Sequence, residues 1–225
     1  MIELGEATWT ELASRAAATI LVVPLGATEQ HGPHLPLATD TMVASALAHR
    51  LAVARDDVLV APAIPYGSSG EHADFSGTLS IGQAVFEHLI IELVRSADAF
   101  ACVVLVSGHG GNAEALAAAA ATLEAEGRSV LVWSPRVPGG DAHAGRTETS
   151  LVLRLAPPLV RPGAEPGETR PLAELLPALR EGGVAAVSPN GILGDPTIAT
   201  ATEGDVVLDA LAADLVANVA AWRER

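Results

Sequence analysis

The chain has 225 residues, 49% of them apolar, a formal net charge of −14 at neutral pH and no lysine. This length and composition suit one folded domain over the whole of residues 1–225 and argue against disorder. The acidic balance argues against a nucleic-acid surface, and the missing lysine excludes a Schiff-base lysine and removes the lysine of a P-loop phosphate site.

In chain order, the first aliphatic run, Ile20–Pro24, reads as a buried strand, continuous as in parallel sheets covered on both faces. "GATEQHGPHLPLATD" follows it, bringing Glu29, His31, His34 and Asp40. If the chain stays extended, Glu29 and His31 face the same way. Asp40 opens a predicted helix over Thr41–Val53, where it either caps the helix or joins the other two as a ligand. Glu, His and Asp together are the donor types taken by zinc, manganese and iron. His34 is either a partner behind a ligand or a turn residue, and His49 and His88 read as surface or packing residues on helices.

A second strand, Val58–Ala61, leads into "PYGSSGEHADFSGTLSIG", whose Glu71 and His72 are assigned to substrate binding or a hydrogen-bond network at the rim. Helix Gln83–Ala97 precedes a third strand, Cys102–Val106, in which the lone Cys102 is a buried small hydrophobe with no partner for an internal disulfide. "SGHGGN" after it presents His109 among glycines that permit close backbone approach. Its partial G-x-G lacks the third glycine and the acidic residue of a dinucleotide site. Asn112 is the expected N-cap and Gly127 the expected C-cap of helix Ala113–Glu126.

The fourth strand is Val130–Trp133, and the loop beyond it carries "HAGRTETS", with His143, Arg146 and Glu148. Singly, these are a loop histidine and helix-end residues; beyond a strand end they join the shared site. Helix Glu148–Leu155 stops at Pro157, the Pro/Gly-rich stretch Pro157–Pro171 is a surface excursion or oligomer contact, and Asp205–Arg223 closes the chain as a helix. No signal-peptide pattern opens the sequence and no apolar stretch is long enough for a membrane span, so a cytoplasmic, non-membrane protein is expected.

The alternation of strands and helices predicts an α/β fold with a mainly parallel sheet flanked by helices. All four polar clusters follow strand ends, where open parallel sheets bind ligands.

"GATEQHGPHLPLATD", "YGSSGEHADFSGTLSIG", "SGHGGN", "HAGRTETS" and "SPNGILGDPTIATATEG" resemble, in that order, the motifs of the creatininase-type amidohydrolases over almost the whole chain. The resemblance implies two divalent metal ions (zinc, iron or manganese) at the carboxyl edge of the sheet, and a homo-oligomer, a hexamer. Carried over residue by residue, Glu29 and His109 bind one metal, His31 the other, and Asp40 bridges them. The family's enzyme for creatinine has a further glutamate ligand where this chain has Gly111; Glu148 is the candidate to replace it. The implied chemistry is attack by a metal-bridging hydroxide on an amide carbonyl, with His143 passing a proton to the leaving nitrogen and Glu148 orienting the nucleophile if it is not a ligand. Glu71, His72 and Arg146 would contact substrate. Within the family the pattern is most similar to a branch of peptidases that release a C-terminal Val–Tyr-derived piece from a radical-modified precursor peptide. The rivals are a hydrolase of small cyclic amides or formamides, using Arg136 or Arg146 for a phosphorylated substrate, and a non-catalytic metal-binding or scaffold protein.

Overall fold

The aliphatic run after Thr19 forms an inner strand of a parallel sheet. A computed structural model describes residues 3–224. After a one-turn helix α1 (Trp9–Leu12), strand β1 (Ile20–Leu25) pairs on one side with β2 (Val58–Val60) and on the other with β3 (Cys102–Ser107), which pairs in turn with β4 (Val130–Trp133). All pairings are parallel and the spatial order is β2-β1-β3-β4. Pro24 is tolerated in this inner strand because the β1–β2 ladder ends two residues earlier, at Val22↔Val60, so its missing N–H removes no bond there.

Helices cover both faces. Alternate residues of β1 serve opposite layers. Ile20 and Val22 pack with Leu47 and Leu51 of α2 (Thr39–Ala54) and Leu211 and Leu215 of α7 (Ala201–Arg223). Leu21, Val23 and Leu25 pack with Phe86 and Ile90 of α3 (Gln83–Ser96) and Leu116 and Leu123 of α4 (Ala113–Ala125). Each such side chain contributes about 1.5–3 kcal/mol by leaving water. Helix α5 (Arg146–Leu155) joins the α2–α7 layer through Leu151. The result is a single α/β domain whose chain changes face between the neighbouring strands β1 and β3. That reversal opens a crevice beyond their carboxyl ends.

The differences from the predicted elements are local. Helix α2 begins at Thr39 rather than Thr41 and α5 at Arg146 rather than Glu148. Helix α7 begins at Ala201 rather than Asp205, because the Thr200 side chain accepts from Glu203 N–H and caps it. Asn112 does not cap α4: its amide accepts from Ser68 N and donates to Gly26 O, tying three strand-end loops together. Gly127 closes that helix as expected.

No helix is predicted between Pro171 and Asp205, yet Leu172–Val187 forms α6, broken at Gly183. The excursion ahead of it folds back, with Glu168 N–H bonded to Ile192 O and Arg161 N–H to His34 O. No helix among the described residues is long and apolar enough to cross a membrane.

Candidate metal centre

The first turn of α2 is lowered between the β1 and β3 loops because residue 108 is glycine: a Cβ there would come within 2.3 Å of Asp40 O. Asp40 is thereby buried beneath both loops instead of capping its helix. Its two oxygens are divided between two histidines. Oδ1 lies 3.0 Å from His31 Nε2 and Oδ2 lies 3.2 Å from His109 Nδ1. Glu29 enters from the β1 loop, Oε2 standing 3.2 Å from His109 Nε2.

His31, His109 and His143 each commit one ring nitrogen to a backbone carbonyl. His31 Nδ1 donates to Glu29 O (3.2 Å), His109 Nε2 to Ser68 O (2.8 Å), and His143 Nε2 to Gln30 O (2.9 Å). The remaining nitrogen of each ring turns to the carboxylates, the usual arrangement behind a metal-binding imidazole. His31 Nε2 faces Asp40 and also Glu148 Oε2 at 3.7 Å. His143 Nδ1 stands 4.0 Å from Glu29 Oε1 and 4.0 Å from Glu148 Oε2.

The buried oxygens Glu29 Oε2 and Asp40 Oδ2 have no hydrogen-bond donor. A buried carboxylate oxygen without a donor is costly unless a cation answers it. The donors group into the triads Glu29–Asp40–His109, His31–Asp40–Glu148 and Glu29–His31–His143. The first two share Asp40, so the residues fit two divalent cations.

The protein's own charges express the same surplus of carboxylate. Burial opposes a charge on His31, but Asp40 and Glu148 outweigh it and push its pKa up to about 10. Burial likewise opposes a charge on His109, which Asp40 and Glu29 nevertheless hold well above its usual value. Against the burial that disfavours its charge, Asp40 is held far below the carboxylate range by His31 and His109. Glu148 is raised, first by burial and then by Asp40. His143 is pulled down to about 4 by burial and by His31, and His72 to about 2 by burial and the surrounding histidines, so both rings are neutral.

Glu148 is held by Ala144 N–H. Ala144 itself sits at φ +53°, a left-handed conformation costly for a residue with a Cβ, which lets "HAG" present His143 on one side and this N–H on the other.

Gly111 leaves no room for a side chain: a Cβ would meet His109 Nε2 at 2.4 Å and Glu71 Oε1 at 2.5 Å. Glu71 and His72 ride on the short turn Gly70–His72 and line a cleft of about 860 Å³ above Glu29, His109 and His143. The opposite wall is α6, with Leu172, Leu176, Leu179 and Arg180. Arg146 does not line this cleft; its guanidinium pairs with Glu203 on α7 (3.0 Å) because the first turn of α5 points it there. Arg180 on α6 lines the cleft instead, a residue with no predicted role because its helix was not predicted. Gln30, between two candidate ligands, also went unread: it is buried against His72 and His143. His34 stays behind the site, bonded to Thr149 Oγ1 (2.8 Å).

The family model described as creatinine amidohydrolase matches residues 5–219. The chain belongs to the creatininase family. A family relative from Mycobacterium tuberculosis (strain CDC 1551 / Oshkosh), named mycofactocin precursor peptide peptidase, is 50% identical over 232 residues, covering 98% of this chain and 91% of that protein. Among solved creatininase structures, a mutant of Zn–Zn type matches with a TM-score of 0.79 at 26% identity, covering 96% of each chain. One titled creatininase Mn matches with a TM-score of 0.80 at 26% identity, covering 97% of each chain. Membership of the creatininase family accounts for the α/β fold.

Proposed function

We propose that this protein is a two-metal peptidase that cleaves an amide bond of the modified mycofactocin precursor peptide and releases its C-terminal Val–Tyr-derived piece. The observation that carries the chemistry is the buried Asp40 carboxylate divided between His31 and His109, with donor-less oxygens on both Asp40 and Glu29. The substrate follows from the half-identical relative's name. A cleft of about 860 Å³ with a leucine-lined wall also suits a peptide better than a small cyclic amide.

Glu29 and His109 would hold one ion, His31 and Glu148 the other, and Asp40 would serve both, with Glu148 taking the part that Gly111 cannot. Divalent cations in such a pair supply a hydroxide at neutral pH and polarise the amide carbonyl; zinc, manganese and iron all suit these donors. His143 Nδ1 takes the proton of the attacking water and delivers it to the departing nitrogen, which leaves poorly as an anion. Glu71 offers the substrate a polar contact from one wall, and Arg180 fills the cationic role expected of Arg146. A cytoplasmic homo-oligomer, a hexamer, belongs to the same proposal, and sedimentation velocity reads its size.

Metal-loaded protein is incubated with the modified precursor peptide and, separately, with creatinine, and products are followed by mass spectrometry. The expected result is release of the C-terminal piece, lost on chelation and restored by zinc or manganese. Turnover of creatinine alone would overturn the peptidase reading, and full activity after complete metal removal would overturn the metal mechanism.

A further inference from the structure

Behind the candidate ligands lies a hydrogen-bond network that centres on a residue with no metal to hold. Gln30 is buried, and its side-chain orientation is fixed from both ends: Oε1 accepts from Gly32 N (2.8 Å) and Nε2 donates to Gly191 O (3.0 Å). A reversed amide would set acceptor against acceptor and donor against donor. Residue 191 must be glycine for this contact, since a Cβ there would fall 2.0 Å from Gln30 Oε1.

The amide has two protons but three acceptors within reach: Gly191 O, His72 Nδ1 at 2.8 Å and His143 Nε2 at 3.0 Å. Gly191 O can only accept, so it takes one proton. His143 Nε2 also lies 2.9 Å from the backbone carbonyl of Gln30, which again can only accept, so that ring nitrogen carries the proton itself. The second amide proton therefore goes to His72 Nδ1. With Nδ1 accepting, the neutral His72 ring carries its proton on Nε2, 3.3 Å from Glu29 Oε1. One assignment satisfies every group, and it leaves His143 Nδ1 bare toward Glu29 and Glu148.

We infer that Gln30 is a positioning residue that sets two ring tautomers, His72 through its side chain and His143 through its carbonyl. His72 thus becomes the proton donor that steadies the Glu29 carboxylate from behind, and His143 keeps a lone pair facing the reaction. The consequence for turnover rests on the peptidase reading above, whereas the tautomers are observable without any substrate.

The experiment is neutron diffraction from deuterium-exchanged crystals of the zinc-loaded full chain and of Gln30→Glu, beside zinc affinity by chelator competition. Deuterium is expected on Nε2 of both His72 and His143 in the unaltered protein. In Gln30→Glu the carboxylate cannot donate, so the His72 deuterium should move to Nδ1 while His143 is unchanged. Zinc affinity should fall about 10–100-fold, as when a ligand loses its outer partner. Deuterium on Nδ1 of His72 in the unaltered protein overturns the inference and does not depend on the variant folding. A folded Gln30→Glu with His72 unchanged, or with zinc affinity unchanged, overturns it as well. None of these results bears on which amide is cleaved, so failure here leaves the peptidase reading to its own assay.

Discussion

Asp40 concentrates the chemistry of the site in one side chain. In the proposed two-metal centre its carboxylate would offer one oxygen to each half, whereas an amide of the same shape would present one acceptor and one donor. Asp40→Asn is therefore expected to lower the bound metal from two ions per chain to one or none by elemental analysis. Activity should fall by more than about 100-fold, since loss of an outer partner alone costs about 10–100-fold. Circular dichroism should remain that of the folded protein. If the Asp40→Asn variant keeps both ions and full turnover, Asp40 does not belong to the centre. At this scale Glu29, His31, Asp40, His109 and Glu148 could be picked out as candidate donors because each is a metal-donor type in a loop, or the first helical turn, that follows a strand. Gln30 was not, because a glutamine between two ligands has no signature until its partners, His72 and His143, arrive from loops 42 and 113 residues away. Arg146 was misdirected by proximity in sequence: it adjoins the site along the chain, but its helix turns it to Glu203.

Among the elements, α6 departs furthest from expectation. Pro177, Gly182 and Gly183 lie within it, and these are the residues that ordinarily mark turns. The helix survives by breaking at Gly183, whose φ of +69° and ψ of −173° a residue with a Cβ strongly resists. The same break sets α6 against the turn that carries Glu71, leaving a Cβ only 2.8 Å from Glu71 O. Gly183→Ala should destabilise the protein by about 1–3 kcal/mol in urea unfolding. Because the displaced element is a wall of the cleft, KM for the peptide should rise several-fold while metal content stays at the level of the parent protein. An unchanged KM in a destabilised variant would mean that α6 does not contact substrate. The four strands and most helices were legible by contrast, because their apolar runs are long, uninterrupted and bounded by polar turns. Only their end residues shifted, furthest at the start of α7, where the cap Thr200 acts through a hydrogen bond rather than through hydropathy.

For the molecule as a whole, burying imidazoles couples the site to the acid stability of the fold. His72 is pulled from its usual 6.5 to about 2, burial being the leading cause. Between those values the unfolded chain binds a proton that the folded chain refuses. Its contribution is thus complete above pH 6.5 and declines as the pH falls toward 2. His143, lowered to about 4, acts in the same direction over a narrower range. The unfolding free energy of metal-free protein is expected to decrease on acidification from about pH 6.5, by up to about 1.4 kcal/mol per pH unit for each such ring. His72→Asn should flatten that slope in urea titrations across pH, and an unaltered slope would show that this ring titrates normally.

By itself, the sequence determined the parallel α/β class, the four strands and the kinds of donor that gather beyond them. These are written in short windows: aliphatic runs, their bounding turns, and clusters of His, Glu and Asp. The tertiary structure alone decided which donors meet. The β2-β1-β3-β4 order sets the β1 and β3 loops side by side, and glycine at residue 108 lets Asp40 descend between them. It alone also decided that α6 walls the cleft and that Gln30 governs two rings, because contacts between distant residues are fixed by how helices pack on the sheet, a relation that no local pattern encodes.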